Sequence, residues 1–431
     1  MMLVGQPQRT AGVADVLIAG GGVGGLALAL CLHRNGVPCT VLEAAPEFRP
    51  LGVGINVLPH AAAELGRLGL EAELSRVAVL ADTASFFNRF GQHVHSEPLG
   101  RAAGYAHPQY SIHRADLHGA LLRAVLERLG PGRVLLGRRL LAAEQDEAGV
   151  TLRSAPDAEG AAPPPVRGAV AVGCDGIHSA LRRQLFPDEG EPKYTGYNMW
   201  RGVAPWPPVL TGATLARVGW LSTGKMVIYP IRDGIDAGGR QLLNWVYEVE
   251  TATHRSRRDW NLPGRVEDVL PRVADWRFPW LDVPAMLRAS EQVLEYPMVD
   301  QDPLPRWTFG RLTLLGDAAH PMVPRGSNGA GQSILDARCL ADALARAPDD
   351  PAAALAAYEA ERLPATTEVV LTNRTNPPDA ILRVVHERTG DRPFARIEDV
   401  MSREEMLAIT GGYKRVAGYD LERLRTAATD D

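Results

Sequence analysis

The sequence predicts an α/β fold in which a discontinuous parallel-sheet domain is interrupted by a mainly antiparallel β-sheet and followed by a helical C-terminal segment. Three observations carry this. Asp15 to Glu43, DVLIAGGGVGGLALALCLHRNGVPCTVLE, runs as strand, glycine turn, helix and second strand. From Lys193 to about Glu250 four strand-like runs follow one another without an intervening helix, which is the pattern of an antiparallel sheet. At Arg311 the chain returns to strand, glycine turn and long helix, RLTLLGDAAHPMVPRGSNGAGQSILDARCLADALARA.

The opening stretch is Rossmann-like. Gly20, Gly22 and Gly25 complete GxGxxG where a helix should begin. Gly20 permits the sharp turn, Gly22 lets a pyrophosphate approach the backbone, and Gly25 lets helix and strand pack closely. The first-turn amides, from Val23, Gly24 and Gly25, then face the phosphates together with the positive end of the helix. Glu43, with Ala44 after it, ends the second strand where a carboxylate meets an adenosine ribose. A dinucleotide site follows; its occupant is left open by this stretch alone.

Composition narrows the class. The 431 residues carry a formal net charge of -5 with no long basic run, which argues against nucleic acid as a partner. No apolar run approaches the roughly 20 residues of a spanning helix, and Met1 to Val13 has no signal-peptide pattern and reads as a frayed leader. Cys31, Cys39, Cys174 and Cys339 are scattered, with no metal-ligand spacing, so reduced thiols in a cytoplasmic protein and no metal site are expected.

In chain order, the loop after Glu43 carries Arg49, Val53 and two glycines, Gly52 and Gly54. Those glycines suggest backbone passing close to something flat or bulky. A helix starts near Pro59. Thr83 to Ser96 reads as a hairpin belonging to the second domain. Arg114 precedes a helix opening at Ala115–Asp116 and is either a surface charge or a ligand to a phosphate. Arg133 to Arg153 alternates as strands, and Ser154 to Gly168 is a Pro/Ala/Gly-rich excursion. The strand Gly168 to Val172 then enters GCDGIHSALRRQL, where Asp175 reads as the helix N-cap or as cofactor support. In the strand region, period two puts Lys225, Val227 and Tyr229 on one face and Met226, Ile228 and Pro230 on the other. Arg265 to Leu287 reads as a helical stretch with a Trp-rich bend. Asp317 follows the returning strand, and Gly329, Ala330 and Gly331 open the next helix with free amides. Asn376 to Asp431 reads as a packing or subunit-contact tail. The resulting division is 14–82, 105–188 and 305–375 for the cofactor, 83–104 and 189–304 for the substrate, and 376–431 for the tail.

Three motifs in this order resemble the single-component FAD-dependent aromatic hydroxylases typified by para-hydroxybenzoate and salicylate hydroxylases. GGGVGGLALALCLHRNGVPCTVLE looks like their adenosine fingerprint, VGCDGIHSALRR like the middle motif that touches FAD and NAD(P)H, and LLGDAAHPMVPRGSNGAGQSILDA like the flavin ribityl motif. LGVGINVLPHA, PQYSIHRADL, MWRGV, RVEDVLPRVADW and YPMVDQDPLPRW are most similar to the phenazine monooxygenases of the pyocyanin type. The resemblance implies that Glu43 holds the ribose, Arg114 the FAD chain near its phosphates, Asp317 the ribityl hydroxyls, and Gly329 to Gly331 the pyrimidine edge of the flavin. Pro324 would line the ring-facing cavity. Cys174 departs from the usual alanine of the middle motif, and Ser327–Asn328 alters the loop before the flavin-facing glycines.

The activity so implied is hydroxylation of an aromatic or heteroaromatic substrate, phenazine- or salicylate-like, through a flavin hydroperoxide formed from dioxygen and FAD reduced by NADPH or NADH. A carboxylated substrate with loss of the carboxylate, and a place in secondary metabolism, belong to the same expectation. Lys225 and Tyr229 are the candidates for substrate contact or proton handling; solvent exposure and core packing are their respective alternatives. An FAD oxidoreductase without oxygen insertion and a non-catalytic FAD carrier remain as rivals, and monomer and homodimer are both open.

Overall fold

The structure is a computed structural model and describes residues 15–49, 52–157, 159–251, 262–422 and 424. The leader Met1–Val13 lies outside them. The apolar run Val16–Ala19 is 0–2% exposed because it is the central strand of a parallel sheet covered on both faces. Among the described residues this sheet has five strands, in the order Leu312–Leu314, Val170–Gly173, Val16–Ala19, Cys39–Leu42, Val134–Leu135, and every neighbouring pair is parallel. The chain therefore leaves Gly20, Glu43, Cys174–Asp175 and Gly316–Asp317 together at the carboxyl ends of the strands, where open α/β sheets bind ligands.

The second large sheet has eight described strands, in the order Leu262–Pro263, Gln292–Asp300, Lys193–Trp206, Gln241–Glu250, Gly224–Arg232, Thr214–Trp220, Thr83–Phe87, His93–Pro98. All of its pairings are antiparallel except Thr214–Trp220 with Thr83–Phe87. Its strands obey the period-two reading. Met226, Ile228, Trp245 and Tyr247 point to an outer core that includes Trp276, Val283 and Met286. Tyr229 points inward with Met199, Val203, Tyr296 and Met298. Arg265 to Leu287, expected to be helical, instead makes two short 3-10 turns, Val266–Asp268 and Leu270–Arg272, a two-stranded turn and one short helix, Val283–Arg288. Pro271, Pro279 and Pro284 recur too often for a helix to propagate between them, and Asp282 caps the short one by accepting from the Ala285 N–H at 2.9 Å.

The tail folds back on the inner face. Its helices Ala380–Thr389 and Arg403–Ala417 bring Ile381, Leu382, Val385 and Met406 into the same cluster as Met199, Tyr229 and Val323. The inner face of the second sheet is thus closed by the tail and by the loop that precedes Gly329. No described helix is long and apolar enough to cross a membrane, and no described group of His, Cys, Asp and Glu could hold a metal ion.

Candidate active site

The three fingerprint glycines do three different jobs. Gly20 has φ +115°, and a Cβ there would collide with the Cys174 carbonyl; the turn is both left-handed and pressed against the neighbouring strand end. A Cβ on Gly25 would strike the Gly20 carbonyl oxygen. Gly22 is exposed, and a Cβ on it would meet no protein atom within 4 Å. The space in front of Gly22 is a cradle, and no side chain caps the helix that starts at Val23. Gly24 lets this helix pack on the helix Gly329–Arg346, where its Cβ would come to 3.2 Å of the Ser333 Cβ.

Glu43 curls over the turn. It accepts from the Gly21 N–H at 2.7 Å and the Ala45 N–H at 2.8 Å, which fixes both carboxylate oxygens beside the cradle and sets Ala44 at its rim. Arg114 begins the helix Arg114–Leu129, its stem against Gly52, where a Cβ would stand 3.4 Å from the Arg114 Cδ. Arg114 and Asp317 are both exposed, and among the described residues neither side chain has a hydrogen-bond or ion-pair partner. Asp317 and Gly329 adjoin, since a Cβ on Gly329 would lie 3.9 Å from Asp317 Oδ1. Asn328 precedes the helix without capping it by its side chain, so the first-turn amides of Gly329 and Ala330 are left for a ligand. Gly331 is buried against Ala61 and His60 instead.

Three candidates are placed differently from the sequence reading. The N-cap of the middle-motif helix is Ser179, whose Oγ accepts from the Arg182 N–H at 2.9 Å; Asp175 accepts one turn-edge amide, Ala180 N–H, at 2.7 Å. Its other oxygen is buried without a partner among the described residues, and burial raises its pKa. Arg49 is exposed and paired with Glu47 at 2.5 Å. Gly54, with the buried Val53 before it, lies against the second sheet: its N–H donates to Asn244 Oδ1 at 2.7 Å, its carbonyl accepts from Arg201 at 2.5 Å, and a Cβ would crowd Asn244 and Ile231 at 2.7 Å. What Gly54 passes is the sheet, whereas Gly52 passes the Arg114 stem.

The flavin-side loop is held from beneath. Asp336, 0% exposed, accepts from His320 Nε2 at 2.6 Å, Arg362 Nε at 2.7 Å and the Gly316 N–H at 3.2 Å. Burial opposes its charge, yet His320 and Arg362 keep its pKa below the usual carboxylate range. Arg182, 2% exposed, donates to the carbonyls of Ala318 and Ala319 at 3.0 and 2.9 Å, tying the middle motif to the turn that carries Asp317.

Facing this loop, the second sheet presents a hollow. Val227 and Val246 are cross-strand partners in its centre, yet both are only half-buried, while Lys225, Tyr229, Asn244 and Glu248 around them are at most 4% exposed. The same row continues to Arg201 on one side and Arg217 on the other. Exposed Pro324 and buried Arg325 come from the loop; Arg325 stacks over Tyr197 at 4.2 Å and reaches Glu248 at 3.4 Å. Tyr229 has its pKa pushed up by burial, against the pull of Arg201. Lys225 is not solvent-exposed: it is fully enclosed, ion-paired with Asp379 of the tail and, at 3.2 Å, with Glu248.

The sequence profile of the FAD binding domain family matches residues 13–216 and 280–373. The chain belongs to this family. It is 41% identical, over 94% of its length and 98% of the relative's, to a phenazine 1,6-dicarboxylic acid hydroxylase from Lysobacter antibioticus. It is 38% identical to a 3-amino-4-hydroxybenzoate 2-monooxygenase from Streptomyces platensis, over 82% of this chain and 85% of that one. Among solved structures, Klebsiella pneumoniae HpxO complexed with FAD and uric acid superposes with a TM-score of 0.69 at 23% identity over 96% of this chain and 96% of that one, a likeness of fold.

The cofactor of this FAD binding domain protein is therefore FAD, and the open cradle at Gly22, the uncapped helix starts and the unpaired Arg114 and Asp317 fit it. The tail packs, as its sequence suggested, but its hold on the flavin-side loop has no sequence signal. Tyr413 donates to Asn373 Oδ1 at 2.6 Å and accepts from Asn328 Nδ2 at 2.8 Å, and a Cβ on Gly326 would collide with its hydroxyl. Tyr413 thus clamps the loop in which Ser327 adopts φ 60°, a left-handed conformation that a non-glycine residue holds only when its surroundings impose it. Tyr413→Phe leaves Asn373 Oδ1 without its donor and Asn328 Nδ2 with only the Gly326 carbonyl at 3.3 Å, and urea unfolding of the FAD-loaded protein should show a loss of about 1–3 kcal/mol. An unchanged midpoint would remove the clamp.

Proposed function

We propose that this protein is an FAD-dependent monooxygenase that uses NADPH or NADH and dioxygen to hydroxylate a small, carboxylated aromatic or heteroaromatic substrate, with the cofactor on 14–82, 105–188 and 305–375 and the substrate against 83–104 and 189–304. The observation that carries it is the hollow over Val227 and Val246, an apolar floor bordered by charged and hydrogen-bonding groups and facing the loop that ends in the flavin-side amides. Such a surface suits a flat ring with a polar edge. The relatives' names, which pair hydroxylation with phenazine and benzoate acids, support the same class.

FAD, when bound, supplies hydride acceptance from the nicotinamide and activation of dioxygen. The chain's own residues do the rest. Gly20 to Gly25, with Val23 and Gly24, and Glu43 with Ala44 seat the dinucleotide, and Arg114 and Asp175 support it. Asp317, Gly329 and Ala330 orient its ring end. Pro324 borders the ring-facing cavity, and the Val227–Val246 floor excludes water beneath the substrate. Tyr229, buried beside Arg201 and Asn244, handles the proton of a substrate hydroxyl, and Lys225 acts through Glu248 and Asp379 by fixing the charged wall. The protein works in the cytoplasm as a monomer or homodimer, in secondary metabolism.

The test is a screen of aromatic acids and phenazine-like heterocycles for stimulation of NADPH and NADH oxidation by the FAD-loaded protein, with mass spectra of the products. An acid that raises the oxidation rate at least about tenfold and gains one oxygen is expected; tight FAD binding with no stimulated turnover would favour a carrier.

A further inference from the structure

The peptide between Gly21 and Gly22 has a glycine on each side, which leaves it freer to rotate than any other peptide would be. Two side chains nevertheless hold Gly21 from opposite ends. Its N–H donates to Glu43 Oε2 at 2.7 Å, and its carbonyl accepts from His118 Nε2 at 2.8 Å. A carbonyl only accepts, so His118 carries a proton on Nε2. Burial, the largest influence on this half-buried ring, lowers its pKa below the usual imidazole value, and the neutral ring is therefore the donor at pH 7. Phe48 leans over the bond: its ring lies 5.1 Å from that of His118, and a Cβ on Gly21 would come to 3.0 Å of it.

Across a trans peptide the N–H points opposite to the carbonyl. Holding the Gly21 carbonyl toward His118 therefore directs the Gly22 N–H to the other side, and that N–H has no partner among the described residues. A flipped peptide would instead turn the negative end of the carbonyl toward an incoming phosphate. His118 also follows Arg114 by four residues on the helix Arg114–Leu129, which puts the two on one face, so the bond to Gly21 sets where Arg114 stands relative to the turn. We propose that His118 is a positioning residue for FAD, holding the Gly21–Gly22 peptide in the orientation that offers its N–H to the pyrophosphate. It acts through the backbone and not by touching the cofactor. The assignment rests on the reading of the Gly22 cradle as the pyrophosphate site.

The experiment measures release of FAD from the loaded protein, by the rise in flavin fluorescence on dilution and by the flavin retained through gel filtration, in wild type, His118→Phe and His118→Gln. His118→Phe keeps an aromatic ring against Phe48 and removes the donor, and its FAD dissociation constant should rise at least about 10-fold. His118→Gln supplies an amide N–H donor at the end of its side chain and should stay within about threefold of wild type. A role in packing alone would sort the two variants the other way, since phenylalanine is the better substitute for the ring. His118→Leu serves as the second donor-free variant should the Phe form not fold. Unchanged FAD binding in His118→Phe overturns the assignment, as does a Gln variant that binds as weakly as the Phe one. Gly22→Leu tests the cradle separately: flavin lost there but held at full affinity by His118→Phe overturns this inference alone, whereas flavin retained by Gly22→Leu removes the site on which it rests.

Discussion

Gly22→Leu should purify as a colourless, folded protein. Gly22 has φ -75°, which any residue adopts, and its side chain would project into a space with no protein atom within 4 Å. The substitution costs the fold little and fills the room that a pyrophosphate needs to reach the backbone amides. The FAD dissociation constant should rise more than about 100-fold, equivalent to about 2.7 kcal/mol or more, read as loss of the visible flavin bands relative to protein absorbance. Gly25→Ala is the contrast. Its methyl would strike the Gly20 carbonyl, so it should lower the melting temperature of the protein whether or not FAD is present. Normal flavin occupancy in Gly22→Leu would mean that this helix does not face the dinucleotide.

Asp379→Ala should be among the most destabilising single changes in the chain. The carboxylate is 3% exposed and paired with the 1% exposed Lys225, and removing one member of a buried pair leaves an uncompensated charge, at a cost of about 3–5 kcal/mol. Lys225→Met combined with Asp379→Leu should recover much of that loss, which distinguishes charge from packing. Acid should erase the pair's contribution. Burial pushes Asp379 up, but Lys225, Arg217 and Arg325 outweigh it and hold the group at about 2, against 3.8 when free. A depressed carboxylate stabilises the fold fully above its free value and progressively less as pH falls toward its folded one, here a contribution of about 2 kcal/mol lost between roughly pH 4 and pH 2. The gap in urea stability between wild type and Asp379→Ala should therefore hold from pH 7 to 5 and narrow below 4. A gap that stays constant to pH 2.5 would contradict the ion-pair account.

The cofactor half of the site was legible because its signals are local. GxGxxG, the acid at the end of the next strand and the two later strand-to-helix junctions each lie within a few residues, and parallel pairing alone gathers Gly20, Glu43, Asp175 and Asp317 at one edge. The inward face of Tyr229 followed from period two for the same reason. What escaped lies in pairings that no local pattern encodes. Lys225 reads as a surface lysine until Asp379, 154 residues away, is folded onto it. Gly54 reads as a cofactor contact until Asn244, 190 residues away, is seen against its amide. The tail carries no motif, yet Tyr413 holds the loop before Gly329 and the helix from Ala380 closes the hollow. Ser179 took the cap from Asp175 because the Gly176 turn, at φ +75°, adds residues between the strand and the first helical turn.

The proposed reaction inserts oxygen from dioxygen into an aromatic substrate. Turnover of a stimulating aromatic acid by FAD-loaded protein with NAD(P)H under ¹⁸O-labelled dioxygen in ordinary water tests it most directly. The product should carry one labelled oxygen per new hydroxyl, whereas a product with no added oxygen, or with oxygen drawn from water, would contradict it.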